Sequence, residues 1–83
     1  MNKILLELFI PATGKIIEIR VPRNLKVATA RDMIIGYLKS LSELEYVPSD
    51  RSVLCDYETG AIFEANLFIN QLGLMNGSKI MII

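Results

Sequence analysis

The stretch that decides the fold reads Gly73-Leu74-Met75-Asn76-Gly77-Ser78-Lys79-Ile80-Met81-Ile82-Ile83. Asn76-Gly77 is a residue pair that tolerates positive φ angles, so a turn is expected there. The segment from Ile80 to Ile83 is apolar on both faces and rich in β-branched side chains, which favours a strand with a neighbour on each edge. A last strand in the middle of a sheet requires that earlier strands lie on both sides of it.

Two strands are predicted at the start of the chain. The first runs from Ile4 to Ile10 and the second from Lys15 to Val21, with a turn at Thr13-Gly14 between them. Pro11 ends the first strand because it removes a backbone donor. Apolar residues of both strands alternate toward one predicted core face: Ile4, Leu6, Leu8, Ile10, Ile17, Ile19 and Val21. The pattern predicts an antiparallel hairpin whose second strand turns Ile16, Glu18 and Arg20 outward.

One helix follows, because the apolar period changes from two to about 3.6 residues. Five apolar residues share one helical stripe, which Tyr37 widens: Val27, Ala30, Ile34, Leu38 and Leu41. Thr29 with Asp32 resembles a capping box and would start the helix later. We predict a start near Val27, since the stripe needs that residue. Gly36 lies inside the helix, at a cost of about 1 kcal/mol relative to Ala.

The second half of the chain predicts shorter elements. An acidic loop is expected at residues 42–50, and a third strand from about Ser52 to Tyr57. In that strand Val53, Cys55 and Tyr57 are expected to face the core and Leu54 to face outward. A shift of one residue would exchange Leu54 with Cys55. A short strand at residues 61–64 and a helical turn at residues 67–72 precede the last strand. Apart from that short strand, the order is ββαββ in an α+β fold.

The composition restricts the function. Eighty-three residues predict a single domain over residues 1–83, with most strong apolar positions used in the core. Nine Lys and Arg balance nine Asp and Glu, which argues against nucleic acid and against anionic membrane surfaces as partners. The single cysteine and the absence of histidine predict no internal disulfide, no zinc site and no Cys-His nucleophile pair. We therefore expect no enzymatic activity, no metal and no cofactor.

The start of the chain bears on its location. Glu7 interrupts the apolar run after Lys3, so neither a signal peptide nor a membrane span is expected there. We expect a cytoplasmic protein that does not insert into the membrane itself and that a partner can recruit to the membrane's inner face.

One helix crossing a mixed sheet in the order ββαββ is the β-grasp arrangement, and three segments resemble ubiquitin-like proteins. Residues 13–21 resemble ubiquitin's first hairpin turn and second strand. Val47-Pro48-Ser49-Asp50 resembles its proline loop before the third strand. Residues 72–80, Leu-Gly-Leu-Met-Asn-Gly-Ser-Lys-Ile, resemble the L-G-I-x-D-G-D-x-L pattern of ubiquitin-like domains. The resemblance covers nearly the whole chain and implies one helix packed on a mixed sheet, with the C-terminal strand at its centre.

A narrower resemblance is to the YukD/EsaB ubiquitin-like proteins of bacterial type VII secretion systems. It rests on the long first strand, the R-V-P-x-x-L-x-V transition at residues 20–27, the long helix and the end at Ile83. The chain departs from that family at Ser78, where an acidic residue is usual, and another tail-less bacterial ubiquitin-like protein remains the alternative. The resemblance implies a cytosolic accessory or regulatory component of a protein-export machine.

The end of the chain bears on conjugation chemistry. A conjugated modifier or a sulfur carrier needs a flexible tail ending in Gly-Gly, which enters the narrow channel of an activating enzyme. This chain has Ile82-Ile83 there, so we expect neither role. The alternative is a sulfur carrier or modifier whose native chain continues beyond Ile83.

The predicted binding surface is the sheet face turned away from the helix. Its expected protein-binding residues are Leu5, Phe9, Leu54, Met81 and Ile83. In ubiquitin the corresponding outer positions of the third and last strands form the main recognition patch, so the resemblance implies that Leu54, Met81 and Ile83 contribute here. The partner would be a secretion component, or a second copy that forms a homodimer through this face. Scattered exposed apolar residues are also ordinary in soluble proteins.

Two other features stay open. The basic residues of the second strand and the helix start could dock an acidic partner or form a solvated edge: Arg20, Arg23, Lys26 and Arg31. Met33 and Ile35 lie off the helical stripe, where a loop or a partner could cover them. Cys55 is interpreted as a small core residue.

Overall fold

The computed structural model describes residues 2–41, 43 and 48–83, and its elements follow the predicted order ββαββ. The strands and the helix have these bounds: β1 Lys3–Ile10, β2 Lys15–Pro22, α1 Val27–Lys39, β3 Leu54–Asp56 and β4 Ser78–Ile82. A 3₁₀ helix at Ile69–Gln71 precedes β4, where the sequence predicts a helical turn. Most of the predicted acidic loop, residues 42 and 44–47, lies outside the described residues.

The sheet is mixed, with strand order β2-β1-β4-β3. β1 pairs antiparallel with β2 and parallel with β4, while β3 pairs antiparallel with β4. The C-terminal strand therefore lies between two neighbours, as its apolar composition predicts. The turn before it uses Gly77 at φ +90°, a conformation that residues with a side chain rarely adopt.

The core lies between one sheet face and α1. The predicted core faces of β1 and β2 and the stripe of α1 are confirmed, since their residues are buried or half-buried. Ile80 and Ile82 of β4 are buried against the same helix. Tyr37 is the exception, because its side chain is 46% exposed and does not widen the stripe toward the core. It lies on the side of α1 that borders β2.

The start of α1 at Val27 is confirmed, although Lys26 before it makes no side-chain cap. The N–H groups of Val27 and Ala28 donate to the carbonyl oxygens of Leu67 and Ala65 at 2.8 and 3.1 Å. Helix N-termini leave their first N–H groups without intrahelical partners. Because a distant segment accepts these bonds, the capping box suggested at Thr29 is not needed.

The predicted facing of the third strand is wrong, and Leu54 lies in the core. Leu54 is 2% exposed and pairs with Ile82, whereas Cys55 pairs with Met81 on the opposite face. The segment from Val53 to Cys55 is apolar on both faces, so its alternation cannot select a facing. Pairing with β4 selects the facing. The observed register is the alternative one, shifted by one residue, in which Leu54 and Cys55 exchange faces.

The predicted short strand at residues 61–64 is reduced to an isolated bridge between Cys55 and Ile62. The Asp56 N–H donates to the Ala61 carbonyl oxygen at 2.9 Å, and the Phe63 N–H donates to that of Leu54 at 3.0 Å. Residues 61–63 therefore run along the outer edge of β3 and satisfy its backbone groups.

Candidate functional site

Apolar side chains cross the sheet on its outer face, which we define as the face turned away from α1. Each member of this apolar row is the register partner of the next: Ile16, Phe9, Met81, Cys55 and Ile62. Register partners place their side chains on the same face at close distance. The row therefore spans all four strands and the segment that covers β3.

The ends of the apolar row are open and its centre is packed. Ile16 is 50% exposed and Ile62 is 64% exposed, while Phe9 and Met81 are half-buried. Cys55 is fully buried between its row neighbours. Burial raises the pKa of the Cys55 thiol, so the thiol stays protonated and is a poor nucleophile. Cys55 is buried as predicted, but on the outer side of the sheet.

Ile83 extends the apolar surface by one row. Its N–H donates to the Val53 carbonyl oxygen at 3.0 Å, and the Val53 N–H donates to the Ile83 carbonyl oxygen at 2.9 Å. This pair continues the β3–β4 ladder beyond the named strands, and the Ile83 side chain is 53% exposed on the outer face. We define the docking patch as the exposed or half-buried residues Ile16, Phe9, Met81, Ile62 and Ile83.

A charged row borders the apolar row on the side opposite Ile83 and consists of Glu18, Glu7 and Lys79. Glu7 is the register partner of both Glu18 and Lys79. Lys79 Nζ lies 5.3 Å from the centre of the Tyr57 ring, a cation–π distance. That ring meets the Phe9 ring edge to face, with centroids 5.5 Å apart and planes at 83°. Tyr57 thus joins the apolar row to the charged row and restrains Phe9.

Leu5 lies beyond the charged row, apart from the docking patch. It is half-buried, its register partner is Arg20, and its N–H donates to Asn76 Oδ1 at 2.9 Å. Of the five residues predicted to form the binding surface, Phe9, Met81 and Ile83 are brought together. Leu5 shares their face but is separated from them, and Leu54 is in the core.

Comparison with known proteins finds matches of structure only. A scan against models of protein families finds no match, and a search of curated protein sequences finds none either. The EccD5 ubiquitin-like domain from Mycobacterium xenopi superposes with a TM-score of 0.77 at 12% identity, covering 100% of this chain and 94% of that one. Other matches include further ubiquitin-like domains and the ubiquitin of Caldiarchaeum subterraneum.

The chain has the ubiquitin-like β-grasp fold.

Two further matches show how widely this fold is shared. A chain of the MycP5-free ESX-5 inner membrane complex matches with a TM-score of 0.75 at 20% identity. The match covers 100% of this chain but only 21% of that chain. A chain of a toluene 4-monooxygenase complex matches with a TM-score of 0.77 at 9% identity, covering 96% of this chain and 95% of that one. At these identities the likeness concerns the fold alone.

Three outer-face residues were not predicted as site residues: Ile16, Tyr57 and Ile62. A signal for Ile16 exists in the sequence, because a hairpin closed at Ile10 and Lys15 pairs Phe9 with Ile16. No such signal exists for Ile62, whose bridge to Cys55 depends on a segment outside the regular strands.

The basic residues predicted to share one edge differ in their contacts. Arg31 Nη1 donates to the carbonyl oxygens of Asp50 and Ser52, and Arg31 Nη2 pairs with Asp32 Oδ1 at 2.7 Å. Lys26 Nζ lies 5.9 Å from the centre of the Phe68 ring. Arg20 is exposed on the edge strand β2, and Arg23 is half-buried just after it.

The described part of the chain was also searched for a metal site and for a membrane-spanning helix. No group of three His, Cys, Asp or Glu residues is arranged to hold a metal ion. None of the helices described is long and apolar enough to cross a membrane.

Proposed function

We propose that this ubiquitin-like domain is a non-enzymatic docking module that binds a component of a type VII secretion machine through the docking patch. The observation that carries the proposal is the apolar row across the whole sheet. Its exposed ends, Ile16 and Ile62, lie on the face that α1 leaves uncovered.

The chemistry of the docking patch suits a protein partner. A sheet face turned to water usually carries polar side chains, and contiguous exposed apolar patches typically mark interaction sites. Here three isoleucines are each at least half exposed around the half-buried Phe9 and Met81. Phe9 is held by Tyr57, so a partner would meet an aromatic anchor that loses little freedom on binding.

The choice of a secretion machine rests on two supports. The sequence resembles the YukD/EsaB proteins, and the neighbouring folds include the EccD5 domain and a chain of the ESX-5 inner membrane complex. On this proposal the protein works in the cytoplasm as an accessory or regulatory component, and its partner recruits it to the inner face of the membrane. The alternative is self-association through the docking patch, and the experiment distinguishes it from binding to a secretion component.

The experiment introduces charge at exposed patch positions. Ile62→Asp and Ile83→Asp should each weaken binding to the cytoplasmic portion of the secretion membrane subunit at least about tenfold, since a buried unpaired charge is costly. Binding is measured by calorimetry, and folding is checked by circular dichroism. Met75→Asp is the matched control, because Met75 is exposed but lies outside the patch.

The outcomes separate the alternatives. Unchanged binding and unchanged export of secreted substrates in cells that carry Ile62→Asp would contradict the proposal. If Ile62→Asp instead turns a dimer into a monomer while partner binding persists, the patch serves self-association.

A further inference from the structure

The sheet has one long free edge, and it is β2. The other edge strand, β3, has three residues, and residues 61–63 form backbone hydrogen bonds with it. β2 has eight residues, and within the described ranges no backbone group of another segment bonds to its outer side. An uncovered edge strand presents unpaired N–H and carbonyl groups, which can template pairing with another strand.

The backbone groups that face this edge can be identified from β1. The Leu5 N–H donates to Asn76 Oδ1, and the Leu5 carbonyl oxygen accepts from the Gly77 N–H at 2.8 Å, so both point toward β4. Leu5 and its partner Arg20 are therefore a non-hydrogen-bonded pair. By the alternation of antiparallel ladders, Ile16, Glu18 and Arg20 direct their N–H and carbonyl groups away from β1.

The charges on this edge are unbalanced within one molecule. Glu18 lies directly opposite Glu7 in the register, and like charges in that position are destabilising. Arg20, two residues along the same face, lies opposite the apolar Leu5. In the described part of the chain the ion pair is that of Arg31 with Asp32, so neither Glu18 nor Arg20 has an ionic partner there.

We propose that the edge is completed by a second copy of this chain, with β2 pairing antiparallel to itself about a twofold axis at Ile19. In this register Glu18 lies opposite Arg20 of the partner subunit, and the twofold axis repeats the pair. Each pair exchanges two backbone hydrogen bonds and joins opposite charges on the outer face. The result is a continuous eight-stranded sheet, because each copy contributes a sheet of four.

The charges also favour this register over two others. An axis at Glu18 would place that carboxylate opposite Glu18 of the partner subunit, and an axis at Ile17 would place it opposite Ile16 of the partner subunit. At the ends of the favoured register Lys15 lies opposite Arg23 of the partner subunit, but Lys15 Nζ is directed to the Glu43 carbonyl oxygen, 3.5 Å away. Pro22 ends the ladder, since it has no N–H.

The helix side of the edge supplies apolar surface. A groove of about 440 Å³ runs between β2 and α1 and is lined by Ile19, Ile34, Met33 and Tyr37. Met33 and Tyr37 are exposed there. A twofold axis perpendicular to the sheet places both helices on the same side, so the two grooves adjoin across the axis. The exposed Met33 and Tyr37 then cover the paired Ile19 side chains, which adds apolar burial to the backbone hydrogen bonds.

The test is a charge exchange followed by sedimentation over a range of concentrations. Wild-type protein should form a dimer that dissociates on dilution. Glu18→Arg and Arg20→Glu should each weaken it at least about tenfold, because each reverses two pairs per dimer. An equimolar mixture of the two variants should dimerise again. In the mixed dimer the introduced arginine lies opposite the introduced glutamate, and Arg20 of the Glu18→Arg chain lies opposite Glu18 of the Arg20→Glu chain. Arg51→Glu, an exposed change of the same charge away from the edge, should have no effect.

A second readout is amide hydrogen exchange. Exchange at Ile16, Glu18 and Arg20 should slow as the protein concentration rises, while exchange at Phe9 and Met81 should not change with concentration.

A wild-type monomer at every concentration, a mixture that stays monomeric, or an equal loss in Arg51→Glu would overturn the proposal. So would edge protection that appears only when a different protein is added. Ile62→Asp should leave this dimer intact, so failure of the docking patch and failure of the edge are distinguishable.

Discussion

At the scale of single residues, Leu54 belongs to the core and not to the exposed outer face. Its side chain packs in the core with Ile82 as its register partner. A charge introduced there would unfold the protein rather than probe a surface. The exposed residues Ile62 and Ile83 are therefore the positions at which docking can be tested.

Truncation of Leu54 provides the first prediction. Leu54→Ala should lower the free energy of unfolding by about 2–5 kcal/mol, the range for large-to-small changes in a packed core. Ile62→Ala, at an exposed position, should change it by no more than about 0.5 kcal/mol. Urea denaturation measures both values. Equal effects of the two substitutions would contradict the observed facing of β3.

The Cys55 thiol provides the second prediction. Burial raises its pKa above the ordinary value of 9.0, and thiol reagents attack the thiolate. Native protein at about pH 8 should therefore react with a maleimide far more slowly than protein unfolded in urea, as mass spectrometry would show. Rapid labelling of the native protein would mean that the thiol is accessible.

Because of the same pKa shift, the free energy of unfolding should fall as the pH rises through the alkaline range. As pH rises through the ordinary thiol range, the unfolded state loses the Cys55 proton before the folded state does. The stabilising contribution is complete below the unfolded pKa and is lost as pH approaches the higher folded pKa. Comparison of the wild type with Cys55→Ala at about pH 7 and about pH 10 isolates this contribution, because the variant cannot show it.

At the scale of elements, α1 is tied to a distant part of the chain at its first turn. The carbonyl oxygens of Ala65 and Leu67 cap its N-terminus, and the Ile69 N–H donates to the Leu25 carbonyl oxygen at 2.8 Å. The helix start could be predicted from the apolar stripe. The cap could not, because its acceptors lie almost forty residues away in sequence and carry no side-chain signal.

The interior of α1 provides the third prediction. Gly36 is exposed, and apart from its chain neighbours and the adjacent helix backbone no atom lies within 4 Å of the position that a Cβ would occupy. Gly36→Ala should raise the free energy of unfolding by about 0.5–1 kcal/mol, since Ala restricts the unfolded chain and favours helix. Gly77→Ala is the contrasting variant and should destabilise the protein, because Gly77 adopts φ +90°. Thermal and urea denaturation test both changes.

At the scale of the whole molecule, two proposed binding surfaces share one small sheet. The docking patch lies on the outer face, and the free edge lies along β2, with Ile16 at the corner between them. The two surfaces differ in chemistry, since the patch is apolar and the edge combines backbone groups with the charges of Glu18 and Arg20.

This difference provides the fourth prediction. Raising the salt concentration to about 1 M shortens the screening length to about 3 Å. Self-association through the edge should then weaken a few-fold, while binding through the patch should be unchanged or stronger. Sedimentation and calorimetry measure the two in parallel. A patch interaction that weakens with salt as much as the dimer would show that charges, not the isoleucines, carry docking.

The sequence by itself determined the order of the elements, the core faces of β1 and β2, the start of α1 and the central position of β4. The first three follow from local periodicity, because an alternation of two or a stripe of 3.6 is set by neighbouring residues. The central position of β4 follows from a segment that is apolar on both faces. The facing of β3 was not determined in this way, since Val53, Leu54 and Cys55 are all apolar.

Only the tertiary structure decided which residues meet on the outer face and which edge stays free. The pairing of β3 with β4 buries Leu54 and aligns Cys55 with Met81, and residues 61–63 then cover β3 and add Ile62 to the row. These partners lie some twenty to thirty residues from Met81 or outside the regular strands. Register is a property of the pair of strands and not of either strand alone, which is why the docking patch and the free β2 edge became visible only in the folded chain.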